Sequence, residues 1–152
     1  MKPMSEELTY AYSAGLMDGE GTVALIYKYK TSRYRWPHVA LPSCTSELTA
    51  FLKEQFGGCV SGKKARKKNH SPSATWAVTG DRALSFLQKV LPYLREPEKI
   101  RRAQMLVKDY KKLTPRNGRY TEEQRQAKLT FEHRFFEEGR ASRQTANIRW
   151  AA

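Results

Sequence analysis

Cysteine is scarce in this chain. Cys44 and Cys59 are the two among 152 residues, too few for a disulfide framework, so a reducing, intracellular setting is the expectation. With His38, His70 and His133 they lack the ligand spacing of a zinc site. No apolar run approaches the ~20 residues of a membrane span. The start, Met1-Lys2-Pro3-Met4-Ser5-Glu6-Glu7, lacks the apolar stretch of a signal peptide. Acid is short as well: 15 Asp plus Glu stand against 28 Lys plus Arg, a net charge of +13. That excess is clustered. It points to a polyanion, with nucleic acid ahead of an anionic membrane surface. The length suits one domain over 1–152, with a core at about 8–112 and a C-terminal helix and tail at 113–152.

The chain reads as alternating elements. A first helix around Leu8 to Met17 gathers Leu8, Tyr12, Gly15 and Leu16 on one face. Thr22 to Lys30 reads as a strand with Tyr27 and Tyr29 on one face and Lys28 and Lys30 on the other. Thr31-Ser32 turns the chain, and Arg33 to Leu41 returns as a second strand whose Pro37 suggests an edge or a bulge. Thr45 or Ser46 opens a helix with Leu48, Phe51, Leu52 and Phe56 inward, which Gly57-Gly58 ends. Cys59 to Arg66 and Ala74 to Thr79 are further strands around a polar loop. Asp81 caps a helix closed by Pro92, and Pro97 opens another with Ala103, Leu106, Val107 and Tyr110 inward. A last helix starts at Thr121-Glu122-Glu123-Gln124 and runs to about Glu138; the tail from Gly139 has no clear apolar period. Trp76, Phe86, Leu87, Leu106 and Phe131 read as core, and His38 and His133 have no nameable partner.

This order is α+β: one antiparallel sheet with helices on one face. The bare face would carry Lys28, Lys30, Arg33, Arg35, Lys63, Lys64, Arg66, Lys67 and Lys68, interleaved with Tyr27, Tyr29, Tyr34 and Trp36, with His70 in the adjoining loop. Such a ribbon can enter the major groove, reading guanine edges and neutralising phosphate. The run Lys63 to Lys68 by itself equally fits a solvated hairpin or a localisation signal.

The densest chemistry lies at the end of the first helix. Asp18 and Glu20 sit where the helix dipole is negative, which disfavours a carboxylate by about 0.3–1 kcal/mol each. Gly19 and Gly21 permit left-handed or tight backbone there. Gly15 lets another helix approach backbone to backbone. Two readings stay open on these residues: a metal-binding acid on a small-residue turn, or an ordinary helix end with solvated acids.

The run Ser13-Ala14-Gly15-Leu16-Met17-Asp18-Gly19-Glu20-Gly21 resembles the signature of the LAGLIDADG homing endonucleases. Phe56-Gly57-Gly58, Trp76 through Gly80, and Leu91-Pro92-Tyr93-Leu94 followed by Lys99 and Ala103 resemble further family segments in order. The resemblance implies an αββαββα core with a saddle-like sheet. It implies a site-specific endonuclease, encoded in an intron, that makes a double-strand break in DNA. By that resemblance Glu20 would bind Mg²⁺ or Mn²⁺, with the Gly19 or Gly21 carbonyl completing the shell. Lys99 would stabilise charge or tune water, and Ser43 would hold a water where relatives carry Gln or Asn. A basic residue found nearby in some relatives has no match, since Thr45, Ser46 and Glu47 stand there. With a single motif copy the resemblance implies a homodimer joined through Tyr12, Ala14, Gly15, Leu16 and Asp18, on a palindromic or nearly palindromic target. Asp18 is expected to support the turn or interface rather than a metal. Arg140, Arg143 and Arg149 would grip phosphate, and Trp150 would meet DNA or the core. An RNA-binding intron maturase, a catalytically idle DNA-binding regulator and a basic scaffold protein are the alternatives; retained Glu20 and Lys99 argue against the first two.

Overall fold

The computed structural model describes residues 2–64 and 67–151, with side chains as far as Glu137. Arg66 lies outside the described residues, as do the side chains of Arg140, Arg143, Arg149 and Trp150. The elements run α1 Glu6–Glu20, β1 Thr22–Ile26, β2 Trp36–Ser43, α2 Ser46–Phe56, β3 Cys59–Lys63, β4 Ser73–Thr79, α3 Gly80–Val90, a 3-10 turn Leu91–Tyr93, α4 Pro97–Asp109 and α5 Glu122–Ala151. The class is α+β, as the element order predicts.

The four strands form one antiparallel sheet in the order β1-β2-β4-β3. Alternation sorts their side chains by face. Val23, Leu25, Val39, Leu41, Trp76 and Val78 point inward and are buried. Helices α1, α3 and α4 close over them with Ala14, Met17, Leu84, Phe86, Leu87, Ala103 and Leu106. Burying each large apolar side chain contributes about 1.5–3 kcal/mol. The Trp76 indole N–H donates to the Gly57 carbonyl at 2.8 Å, so the one polar atom of the largest core side chain is satisfied. All five expected core residues, Trp76, Phe86, Leu87, Leu106 and Phe131, are buried.

Local signals explain most boundaries. Ser5 caps α1 by accepting from the Leu8 N–H at 3.3 Å. Gly57 and Gly58 both have positive φ, and a Cβ on Gly58 would meet the Ala77 carbonyl oxygen at 2.4 Å. Thr121 and Gln124 cap α5 reciprocally, the Gln124 N–H on the Thr121 hydroxyl and the Thr121 N–H on the Gln124 amide oxygen.

Several boundaries differ from expectation. β1 stops at Ile26, so Tyr27, Lys28, Tyr29 and Lys30 belong to a loop and do not alternate across a sheet. β2 begins at Trp36 and β3 ends at Lys63. β2 is an inner strand. Pro37 is accommodated because its ladder with β4 begins only at His38, and before that β2 pairs with β1 alone. Asp81 lies inside the first turn of α3, and Thr79 occupies the cap position. α5 continues through the expected tail to Ala151. Among the described residues no helix is long and apolar enough to cross a membrane.

Candidate active site and nucleic-acid interface

The end of α1 is held by a closed circuit of bonds. The Asp18 carboxylate accepts from the backbone N–H of Arg95 at 3.0 Å and of Glu96 at 3.0 Å. Glu96 in turn caps α4, accepting from the N–H of Glu98 at 3.2 Å and of Lys99 at 2.7 Å. α4 thereby presents Lys99, whose ammonium donates to the Met17 carbonyl at 2.6 Å and the Asp18 carbonyl at 2.7 Å. A cation at a helix C-terminus bonds the last carbonyls and complements the dipole; the Met17 carbonyl accepts from the Gly21 N–H at 3.0 Å as well. The lysine offsets the penalty for two acids there. Lysine has three donors, so Lys99 keeps one beyond these two bonds. Further along α4, the Arg102 guanidinium donates to the Val23 carbonyl at 2.9 Å and to Glu98 at 2.7 Å. Burial pushes the Glu98 carboxyl up, but hydrogen bonds from Arg101 and Arg102 outweigh it and hold Glu98 below the usual carboxylate range.

The sequence leaves Gly19 and Gly21 open to left-handed or tight backbone; Gly21 has an extended one and is glycine for space, since a Cβ would lie 2.4 Å from the Met17 side chain. The chain can therefore leave α1 directly into β1. Glu20, last in the helix, is exposed, as is Gly19, where nothing lies within 4 Å of an added Cβ. Ser43 closes β2 three residues past Ala40, the partner of Thr22, so the ends of β2 and α1 share one end of the sheet. The Ser43 hydroxyl accepts from the Thr45 N–H at 2.9 Å and retains its own O–H to donate. Among the described residues no three His, Cys, Asp or Glu side chains come together as a metal cage. Glu20 offers one free carboxylate, a donor that suits a hard divalent cation, and the rest of a shell must come from carbonyls, water, substrate or a second copy.

Tyr12 and Gly15 are exposed on α1, but Ala14 is fully buried. It packs into the protein's own core and is unavailable to a partner. Leu16 packs partly into that core, and Asp18 is tied to Arg95 and Glu96. The open stripe of α1 is Leu8, 58% exposed, Tyr12, 44% exposed, Gly15 and Gly19.

The fold architecture is decided by this helix–sheet arrangement. No family model and no curated protein matches the sequence. Solved structures do. The homing endonuclease I-CvuI, bound to its target in the presence of Ca, is 22% identical, with a TM-score of 0.55 over 70% of this chain and 68% of that one. The archaeal intron-encoded homing endonuclease I-Vdi141I, complexed with DNA, is 16% identical, with a TM-score of 0.59 over 88% and 86%. The LAGLIDADG homing endonuclease I-GzeII, in complex with a DNA target, is 14% identical, with a TM-score of 0.60 over 86% of this chain but only 44% of its own. The chain has the LAGLIDADG homing endonuclease fold.

Within this LAGLIDADG fold most of the basic residues lie elsewhere than expected. By register Thr22, Ala24, His38, Ala40, Ser61, Thr75 and Ala77 occupy the outward face of the sheet, and of the expected cations that are described Lys63, opposite Ser73, lies on it. The cations cluster in the two hairpin loops, Lys28, Lys30 and Arg33 in one, Lys64, Lys67 and Lys68 in the other beside His70, with Lys63 at the end of β3. Nor are these loops neighbours. Ile26 pairs Trp36 at one end of the sheet, whereas Lys63 pairs Ser73 at the other, the end shared with Glu20 and Ser43. Lys28 is drawn onto aromatic rings, 4.5 Å from Trp36 and 5.5 Å from Tyr29. Arg35 is committed to structure. It stacks 4.5 Å from Tyr27 and 4.9 Å from Phe136, and it pairs with buried Glu132 at 3.1 Å.

Sequence reasoning missed that last partner, and with it buried Lys128. The Lys128 ammonium meets the Thr114 hydroxyl at 2.6 Å and the Tyr110 ring at 3.7 Å. Burial pulls it down to about 8, against a smaller upward push from Glu132. Burial also pushes the Tyr110 phenol up to about 12. The one available signal was the i, i+4, i+7 spacing of Lys128, Glu132 and Phe135 on one helix face. His38, on the outer face, has a buried Nδ1 without a hydrogen-bond partner, and burial lowers its pKa.

Proposed function

We propose that this chain is a site-specific DNA endonuclease that works as a homodimer on a long, nearly palindromic duplex and makes a double-strand break with a divalent metal ion, Mg²⁺ or Mn²⁺. The observation that carries the reading is the bonded circuit Asp18–Glu96–Lys99, which holds the α1 end rigid and leaves Glu20 free and exposed. A carboxylate placed where it weakens its own helix, on a helix end whose carbonyls a lysine then secures, suits a functional role better than a stabilising one. The neighbours support the substrate, since each is described with a DNA target. The first of them was solved with Ca present.

Glu20, with the Gly19 carbonyl beside it, would hold the ion against a scissile phosphate. When bound, the metal supplies an activated water and neutralises charge on the phosphoryl group. Lys99 places its remaining N–H where charge develops, and Ser43 orients a water with its free O–H. Water's oxygen bonds to phosphorus as the leaving P–O bond breaks, and the proton passes to solvent. Among the described residues no three His, Cys, Asp or Glu side chains gather at Glu20, which favours a site assembled from two copies. Gly15 and Gly19 are exposed on the α1 stripe beside Leu8 and Tyr12, so two α1 helices can meet there and bring both Glu20 carboxylates to one axis. I-GzeII, of which this chain spans less than half, is long enough to hold two such halves. Between the Trp36 and Ser73 levels the sheet spans about 26 Å at ~3.3 Å per residue. That is about eight base pairs at ~3.4 Å each, so a dimer covers a long target. The hairpin cations at both ends neutralise phosphates, with Lys30, Arg33, Lys63, Lys64, Lys67 and Lys68 foremost.

The test is selection of cleaved duplexes from a randomised palindromic library with Mg²⁺, using the unaltered chain and Glu20→Gln. Cut products from the unaltered chain alone support the proposal. Cutting that persists in Glu20→Gln overturns the metal assignment. Enrichment by binding with no cutting by either protein points to an idle regulator, and no enrichment at all points to RNA and a maturase.

A further inference from the structure

A cavity of about 820 Å³ opens at the end of the sheet away from Glu20. It lies between the β1–β2 loop, the start of α3 and the α4–α5 connection. Two chemistries line it. Tyr34, Trp36, Tyr110 and Tyr120 supply aromatic surface, and Arg33, Lys111 and Arg116 supply positive charge. The Tyr34 and Tyr120 rings lie 4.2 Å apart and form one continuous aromatic wall. Trp36 packs against Gly80, where an added Cβ would come within 3.3 Å of the indole, carries the Lys28 ammonium 4.5 Å from its ring, and stays 40% exposed. A rigid, exposed indole beside stacked tyrosines is a surface for a flat ring. One acid is present: Asp81 lies 3.4 Å from Lys111, both side chains well exposed.

We propose that this cavity binds one unpaired nucleotide of a nucleic-acid strand. Its base lies against the aromatic rings, its phosphate meets Arg33 and Arg116, and Asp81 accepts from an N–H on the base edge. The volume falls in the range of small-ligand sites. A bare phosphate makes no use of four aromatic rings, and an apolar ligand leaves Arg33 and Arg116 without a counter-charge, Lys111 having Asp81. A base within a duplex cannot offer its face, whereas an unpaired one stacks on such rings. The site is distinct from the cleavage end of the sheet, and its existence does not depend on the cleavage reading.

The test is fluorescence anisotropy of labelled five-nucleotide adenine strands, one DNA and one RNA, titrated with the full chain. An abasic strand with the same phosphates and 5′-AMP as competitor complete the set. Saturable binding of a base-bearing strand is expected, at least tenfold tighter than the abasic strand. Arg116→Ala and Tyr120→Leu, checked for unchanged melting, should each weaken it about tenfold or more, the effect of losing one charge contact or one stack. The tighter of the DNA and RNA strands names the source. Equal binding of the abasic strand, or no effect of either substitution, overturns the proposal. Glu20→Gln should bind these strands as the unaltered chain does, so this site and the cleavage reading fail separately.

Discussion

Lys99 and Lys128 both turn inward, at opposite ends of the molecule, and their surroundings differ in kind. Lys99 meets two carbonyl oxygens at the negative end of a helix, a setting that favours its charge and leaves a donor over. Lys128 meets one hydroxyl and one ring, and burial pulls its pKa down to about 8. A half-buried cation with good acceptors organises the groups around it. A buried one with poor acceptors is tolerated because its stem packs and because Glu132 lies near. The first lysine belongs to a place where chemistry is proposed. The second belongs to the packing of α5 against the β1–β2 loop, where Glu132 also receives the Arg35 N–H at 2.7 Å.

Substitutions at each end sharpen this contrast. The largest effect is expected from Glu132→Ala, which removes the carboxylate that pairs with Arg35 and that offsets part of the burial of Lys128. Breaking a buried pair costs about 3–5 kcal/mol, so urea unfolding should shift by that amount while cleavage at low temperature persists. Unchanged stability would mean α5 does not depend on Glu132. Next is Lys99→Met. Cleavage should fall about a hundredfold or more, with a loss of about 1 kcal/mol in stability from the lost lysine bonds, the Met17 carbonyl keeping the Gly21 N–H. A full loss of folding instead would make Lys99 structural only.

Lys128→Met comes third and has the opposite sign. The folded pKa of about 8 lies below the ordinary 10.5. Below pH 8 both states hold the proton and the burial penalty is fully present. Between pH 8 and 10.5 the unfolded state binds more protons, so stability rises with pH, by about 3 kcal/mol in total. Lys128→Met should raise stability at pH 7 by about 1–3 kcal/mol and flatten that rise. A rise that survives the substitution would assign it to another group. The smallest effect is expected from Lys30→Ala, which should lower the slope of log binding against log salt by about 1. A slope that does not move would exclude Lys30 from phosphate contact.

Much of the fold was legible. The starts at Thr45 and Thr121, the Gly57-Gly58 break and the apolar period of α2 to α4 are local, and local rules hold there, whereas the cap expected at Asp81 falls on Thr79. The α1 end was legible too, because two acids at a helix C-terminus contradict stability. What failed was what depended on partners distant in the chain. Ala14 reads like a small interface residue, but the core claims it. Arg35 reads like a DNA contact, but Glu132, 97 residues away, holds it. The basic residues of the two hairpins read as one surface, but strand register separates them to opposite ends.

The sequence by itself determined the element order, the α+β class, the buried faces and the identity of the acid at the end of α1, because periodicity, caps and glycines act within a few residues. The tertiary structure alone decided which helix face stays open, which charges are already paired, and that Lys99 reaches the α1 carbonyls from 82 and 81 residues away. Those outcomes come from side chains meeting across the sheet and between helices, where spacing along the chain carries no information about distance in space.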